Sequence, residues 1–240
     1  IRLIKGPEAA VYGSLASNGV LLIETSSADD LETVIEFKGN YGIGYNNKRI
    51  PVLQGSDFKN FIGDVGMSQF ADMNDMISYF PFLRDDPNYY YNFLYNNHTD
   101  WQNEIYTPAF VTDNHLRIKG GDAIAKYDLS LGVMDQNGTL ENSKSTRYST
   151  RLNSTLTLGK KFDLSASVAL TYATNKLHEQ GMLQATNPML ASLYQAPILS
   201  PYRKDDQNNI LPDYDIVRQF NVSNPLALLN TTTINSDIYD

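Results

Sequence analysis

Three groups of residues have the types and spacing that recognition or catalysis uses. The run "NYYYNFLYNNHTDW", Asn88 to Trp101, sets aromatic faces among Asn and Asp side chains. Rings bordered by amides and carboxylates suit sugars or peptides. Tyr89, Tyr90, Tyr91, Tyr95 and Trp101 are therefore the candidate substrate-binding residues, with loop packing as the ordinary use of such rings. Asp85, Asp86 and Asn88, and likewise Asp205, Asp206 and Asn208, offer oxygen ligands of the kind calcium takes, without the spacing of an EF-hand. Calcium in these loops is the one cofactor considered, beside plain solvated turns. His98, His115 and His178 are far apart in sequence, and Cys is absent, which removes thiolate metal sites, a Cys nucleophile and disulfides. No Ser/His/Asp set, carboxylate pair or phosphate loop stands out. The chain reads as a non-enzyme with no metal centre.

Charge narrows the partners. The formal net charge of -8, without a basic cluster, argues against nucleic acid. No apolar run has the length of a transmembrane helix.

The elements that would position these residues alternate with period two. Leu31, Thr33, Ile35, Phe37, Gly39, Tyr41 and Ile43 share one face, with Glu32, Glu36, Lys38 and Asn40 on the other. The pattern recurs at Ala125 to Val133, at Tyr148 to Leu158 and at Phe162 to Tyr172, and more weakly in "HLRIKG". Gly120-Gly121-Asp122 and Gly159-Lys160-Lys161 are short connections, 135–146 is intermediate, and 44–110 and 173–240 are long and polar. Five strands with every long connection on one side have the layout of an outer-membrane barrel. A soluble β-sandwich shows the same alternation. Strand length favours the barrel: ten residues separate Phe162 from Tyr172, about 33 Å of chain, or about 25 Å of height when tilted. Five strands close no cylinder wide enough for an internal domain, which takes on the order of 22. Further strands are therefore expected after Asp240. "SDFKNFIGDVG", with Phe58, Phe61, Ile62 and Val65 at helical spacing, reads as a short amphipathic helix packed on the loops.

Ahead of the first strand, Gly6-Pro7 starts a helical turn or two that Gly13 ends. Asn18-Gly19 is a turn, and "VLLIE" is an apolar strand expected to be buried on both faces. This stretch resembles the end of the plug domain of TonB-dependent outer-membrane transporters. Lys5, Gly6, Pro7, Tyr12, Gly13, Asn18 and Gly19 carry the plug motif, together with Ala9, Ser14, Ala16 and Val20. Downstream, "HTDWQNEIYTPAF", "HLRIKGGDAIAKYDLSLGVMDQNGTLENS", "RYSTRLN", "QAPILSPY" and "NPLALL" resemble the SusC/RagA branch found in Bacteroidetes. Leu15, where the family usually has Arg, and "ETSSADD" at 24–30, where a basic run is usual, depart from it.

The resemblance implies an all-β transmembrane barrel, with residues 1–27 as the C-terminal part of the plug and 28–240 as the first barrel strands with long extracellular loops. It implies import of oligosaccharides or peptides across the outer membrane, with a SusD-like lipoprotein as lid and TonB as motor, in contact with outer-membrane lipid. A non-transporting scaffold on the same barrel is the alternative. Within the family the Trp of "TDWQNEI" looks structural. Ile35, Phe37, Leu129, Leu131, Leu156, Val168 and Leu170 are expected to face lipid, and Lys38, Lys126, Asp128, Arg151, Asp163 and Ser165 the lumen.

Overall fold

The computed structural model describes residues 2–22, 32–159, 161–218 and 220–240. The end of "VLLIE", the "ETSSADD" stretch, Leu31 and Lys160 lie outside the described residues. Two compact units share the chain. One holds residues 1–38, 115–131 and 149–170, and the other 39–114, 132–148 and 171–240.

The first unit begins with a two-stranded sheet, β1 (Arg2–Ile4) antiparallel to β2 (Val20–Leu22). Between them Gly6–Tyr12 and Ser14–Asn18 are tight 3-10 turns. Ile4, Ala9 and Ala16 are buried against Val20 and Leu22. Small residues are needed because the backbone doubles back closely. A Cβ on Gly19, whose φ is +106°, would sit 3.2 Å from the Ile4 carbonyl. β2 is not buried on both faces as expected: Leu21 is 57% exposed, because the hairpin has one packed side only.

The main sheet has six strands, not five. They are β3 (Val34–Gly44), β4 (Ala109–Gly121), β5 (Ala125–Asn137), β6 (Lys144–Leu158), β7 (Phe162–Leu177) and β10 (Ile234–Tyr239), neighbours in that order. The sheet is open, and β1 and β2 are outside it. Connections of a few residues at 122–124, 138–143 and 159–161 allow only antiparallel pairing. β10 is antiparallel to β7, with Tyr239 opposite Tyr172. At the first short turn, a Cβ on Gly121 would strike the Ala125 carbonyl. Asp122 Oδ1 there accepts from the backbone N–H of Ile124 and Ala125 at 2.8 and 2.7 Å.

The alternation read from the sequence is realised. On one face Ile35, Phe37, Leu131, Val168 and Leu170 of the expected set are exposed, as are Leu152 and Leu164, while Leu129 and Leu156 are half-buried. Near the loop end of that face, Tyr148, Tyr172 and Tyr239 form a stacked row across three strands, with ring centroids 6.3 and 4.8 Å apart. The opposite face is polar: Arg117 forms an ion pair with the buried Asp128, Ser167 donates to Asn153 at 2.7 Å, and Thr155 meets Ser165 at 3.3 Å.

The long connections fold. Residues 45–108 carry α1 (Gly55–Gly66), α2 (Met73–Tyr79), α3 (Asn92–Tyr95) and α4 (Trp101–Ile105), so the amphipathic helix expected around Phe58 is present. Residues 178–233 carry α5 (Pro188–Tyr194), the hairpin β8 (Tyr202–Lys204) and β9 (Ile210–Tyr214), and α6 (Pro225–Thr231). These helices correct a purely β reading of the fold. α5 and α6 start alike, with Pro at the first position and Asn187 or Asn224 accepting from two N–H groups of the first turn.

Candidate functional site: a groove between two insertions

In the second unit, segments about a hundred residues apart are stitched side by side. Asn97 N–H donates to the Ile198 carbonyl, Thr99 N–H to that of Pro197, and Trp101 Nε1 to that of Ala196 at 3.0 Å. Phe82, Trp101, Ala196, Ile198 and Leu199 form the core beneath. The "TDWQNEI" run is thereby explained. Thr99 Oγ1 donates to the Leu199 carbonyl, and Asp100 caps α4 while pairing with Arg49 at 2.9 Å. Gln102 accepts from Ile50 N–H and donates to the Ile50 carbonyl, imitating a strand partner. Trp101 is only 3% exposed, so this candidate ligand residue is a core residue. Tyr95 likewise packs on Phe82, with ring centroids 6.2 Å apart, and belongs to the same core.

Tyr89 and Tyr90 are placed differently. They line an open groove of about 390 Å³ together with Asn88, Asn92, Asn96, Lys204, Asp206 and Asn208. Tyr91 stands behind it, edge-on to Tyr90 at 4.8 Å and to Tyr89 at 5.8 Å. Arg84 lies 4.6 Å from the centre of the Tyr89 ring. The Tyr90 hydroxyl hydrogen-bonds Asp206, which pushes the phenol above its usual range. Lys204 Nζ donates to Asn97 Oδ1 at 2.6 Å. The fold thus joins the tyrosine run to the Asp205–Asn208 turn, two stretches whose sequence signals were unconnected.

Two of the four carboxylates considered for calcium, Asp205 and Asp86, are engaged in turns. Asp205 Oδ2 accepts from Asn209 Nδ2 at 2.9 Å and its Oδ1 from the N–H of Asn209 and Gln207, which together hold its carboxyl below the usual range, and Asp86 Oδ1 accepts from Asn88 N–H. Among the described residues no three His, Asp or Glu side chains converge as a metal site would require. His178 is buried, its ring nitrogens 2.9 and 3.0 Å from the carbonyls of Thr232 and Glu141. Beside α1 a second hollow, about 340 Å³, is lined by Lys59, Asp85 and His98 among others. Burial lowers the Lys59 ammonium there, opposed by Asp85.

Comparison with known proteins supplies what local geometry does not. No family model matches the chain. It is 29% identical over 146 residues to the TonB-dependent receptor SusC of Bacteroides thetaiotaomicron, 60% of this chain and 12% of that protein. The chain is SusC/RagA-like. TonB-dependent receptor P3 of Formosa agariphila is 25% identical over 223 residues, 91% of this chain and 20% of that protein. Among solved structures, the RagAB peptide importer in its open-open state superposes with a TM-score of 0.71 at 19% identity, over 94% of this chain and 27% of that one. The closed-closed state gives 0.68 at 20% identity. The chain therefore spans a small part of the length of its SusC/RagA-like relatives, and the motifs quoted for that resemblance fall on observed elements: "NPLALL" opens α6 and "QAPILSPY" runs from α5 into β8.

Proposed function

We propose that this chain forms part of the wall of an outer-membrane TonB-dependent importer, acting with a SusD-like surface lipoprotein on oligosaccharides or peptides. Residues 1–27 would be the end of its plug, with Lys5, Gly6, Pro7, Tyr12, Gly13, Asn18 and Gly19 shaping the turn. The observation that carries this reading is the main sheet: strands of up to 16 residues in a meander, apolar and exposed on one face, polar and hydrogen-bonded on the other. An apolar face of that extent is stable only against another apolar phase, and a lipid bilayer is the phase that an aromatic row would border. Likeness to receptors and to a peptide importer supports the transport part, and nothing in the site points to catalysis.

The test is cellular. The protein should fractionate with the outer membrane and migrate faster on gels before heating than after it, and uptake of its substrate should stop when TonB is deleted. Lys161, in a short turn, should resist a membrane-impermeant amine reagent in intact cells. A soluble monomer, or efficient labelling of Lys161, would overturn the reading.

A further inference from the structure

The groove under Tyr90 has its two walls on different insertions, residues 87–96 and the β8–β9 hairpin. Asn88, Asn92, Asn96 and Asn208 line it, and each carboxamide offers a donor and an acceptor side by side, the pairing that adjacent sugar hydroxyls present in return. Tyr90 is 59% exposed, and its ring is held edge-on against Tyr91. A ring held in advance loses little freedom when a flat sugar face stacks on it. Charge is balanced: the lining carries one cation, Lys204, already bonded to Asn97, and one anion, Asp206. Pro87 and Phe93 are the apolar residues that line the groove beside the tyrosines, and the other lining side chains are polar, a balance that favours hydroxyl-rich ligands over apolar peptide side chains.

We infer that this groove is a binding subsite for neutral oligosaccharides, with Tyr90 as the stacking platform and the asparagines and Asp206 as hydroxyl partners. The inference rests on the importer reading and sharpens its substrate class. The purified protein in detergent is applied to an array of neutral oligosaccharides, uronic-acid oligosaccharides and octapeptides, and affinity for the best neutral binder is measured by calorimetry. Tyr90→Ala should lower that affinity about tenfold or more, while Tyr90→Phe, which keeps the ring, should lose less. The heat shift on gels should be the same in both variants, which separates lost binding from lost folding. Binding of peptides or acidic oligosaccharides alone, no binding of any neutral probe, or unchanged affinity in Tyr90→Ala would each overturn it. TonB-dependent uptake that survives Tyr90→Ala with unchanged affinity would remove the subsite and leave the importer standing. A soluble protein that still bound through Tyr90 would do the reverse.

Discussion

The main sheet and the folded insertions use the same kinds of apolar residue in opposite ways. In the sheet Phe37 is 66% exposed and Leu170 62%, whereas in the insertions Phe82 is 2% exposed and Ile198 and Leu229 are fully buried. The insertions satisfy the hydrophobic effect in an internal core, while Ile216 at 85% and Met182 at 90% stay exposed at their surface. The sheet leaves it unsatisfied on one side, so its stability depends on what touches that side. The two regions can therefore be perturbed separately.

The largest effect should come from emptying the core of the insertions. Trp101→Ala is expected to cost about 3–5 kcal/mol, seen as protease cleavage within 45–108 while the heat-shifted form of the whole protein persists. Loss of that form would mean that the two regions are not energetically separate. Next comes the sheet. Val168→Arg should reduce outer-membrane assembly, at a cost of about 2–4 kcal/mol, while Ser167→Arg, one residue away on the polar face, should largely spare it. Opposite results would reverse the faces and remove the main support for a lipid-facing sheet.

A smaller loss is expected at Asn224. Its Oδ1 caps α6, and its Nδ2 donates to the carbonyls of Pro201 and Asp215 at 2.8 and 3.0 Å. Asn224→Ala should cost about 1–3 kcal/mol, and Asn224→Asp, which restores the cap but not the donors, should recover part of it in thermal melts.

The smallest effect is electrostatic. Burial, with Asp100 and Glu141 nearby, raises the Glu104 carboxyl above its usual range. Between the ordinary carboxylate range and the raised value the folded form holds a proton that the unfolded chain has released, and the stability present below that window is lost as pH rises through it. Glu104→Gln should flatten that decline and raise the melting temperature of the insertions at neutral pH. An unchanged pH profile would show that Glu104 is not the group responsible.

The difference between the regions also explains what could be read in advance. β5, β6 and β7 were legible because period-two alternation is a local signal that one exposed apolar face makes strong. α1 was legible for the same reason at helical spacing. β10 was hidden: "INSDIY" is six residues long with three polar ones at its centre, and Ile234 and Ile238 sit opposite Leu177 and Ala173 rather than on the face of the tyrosine row. The core of the insertions left no local trace because its partners are remote. Trp101 needs Ala196, and neither segment announces the other. The same remoteness left Trp101 and Tyr95 open between ligand contact and packing, and kept Lys204, Asn92 and Asn96 off the list of candidate residues.

The stitch between 97–101 and 196–199 also fixes an order of events. It joins segments separated by β4, β5, β6 and β7, so it cannot close until that whole stretch of chain has been synthesised. Local turns such as 122–124 need only their neighbours, and contacts at long sequence separation form late because the loop they close is costly in entropy. Closing the stitch therefore costs more chain entropy than closing any of the short turns. Until it closes, Trp101 and Ile198 are exposed apolar side chains on an unfinished surface, the stage at which this chain most needs protection from aggregation.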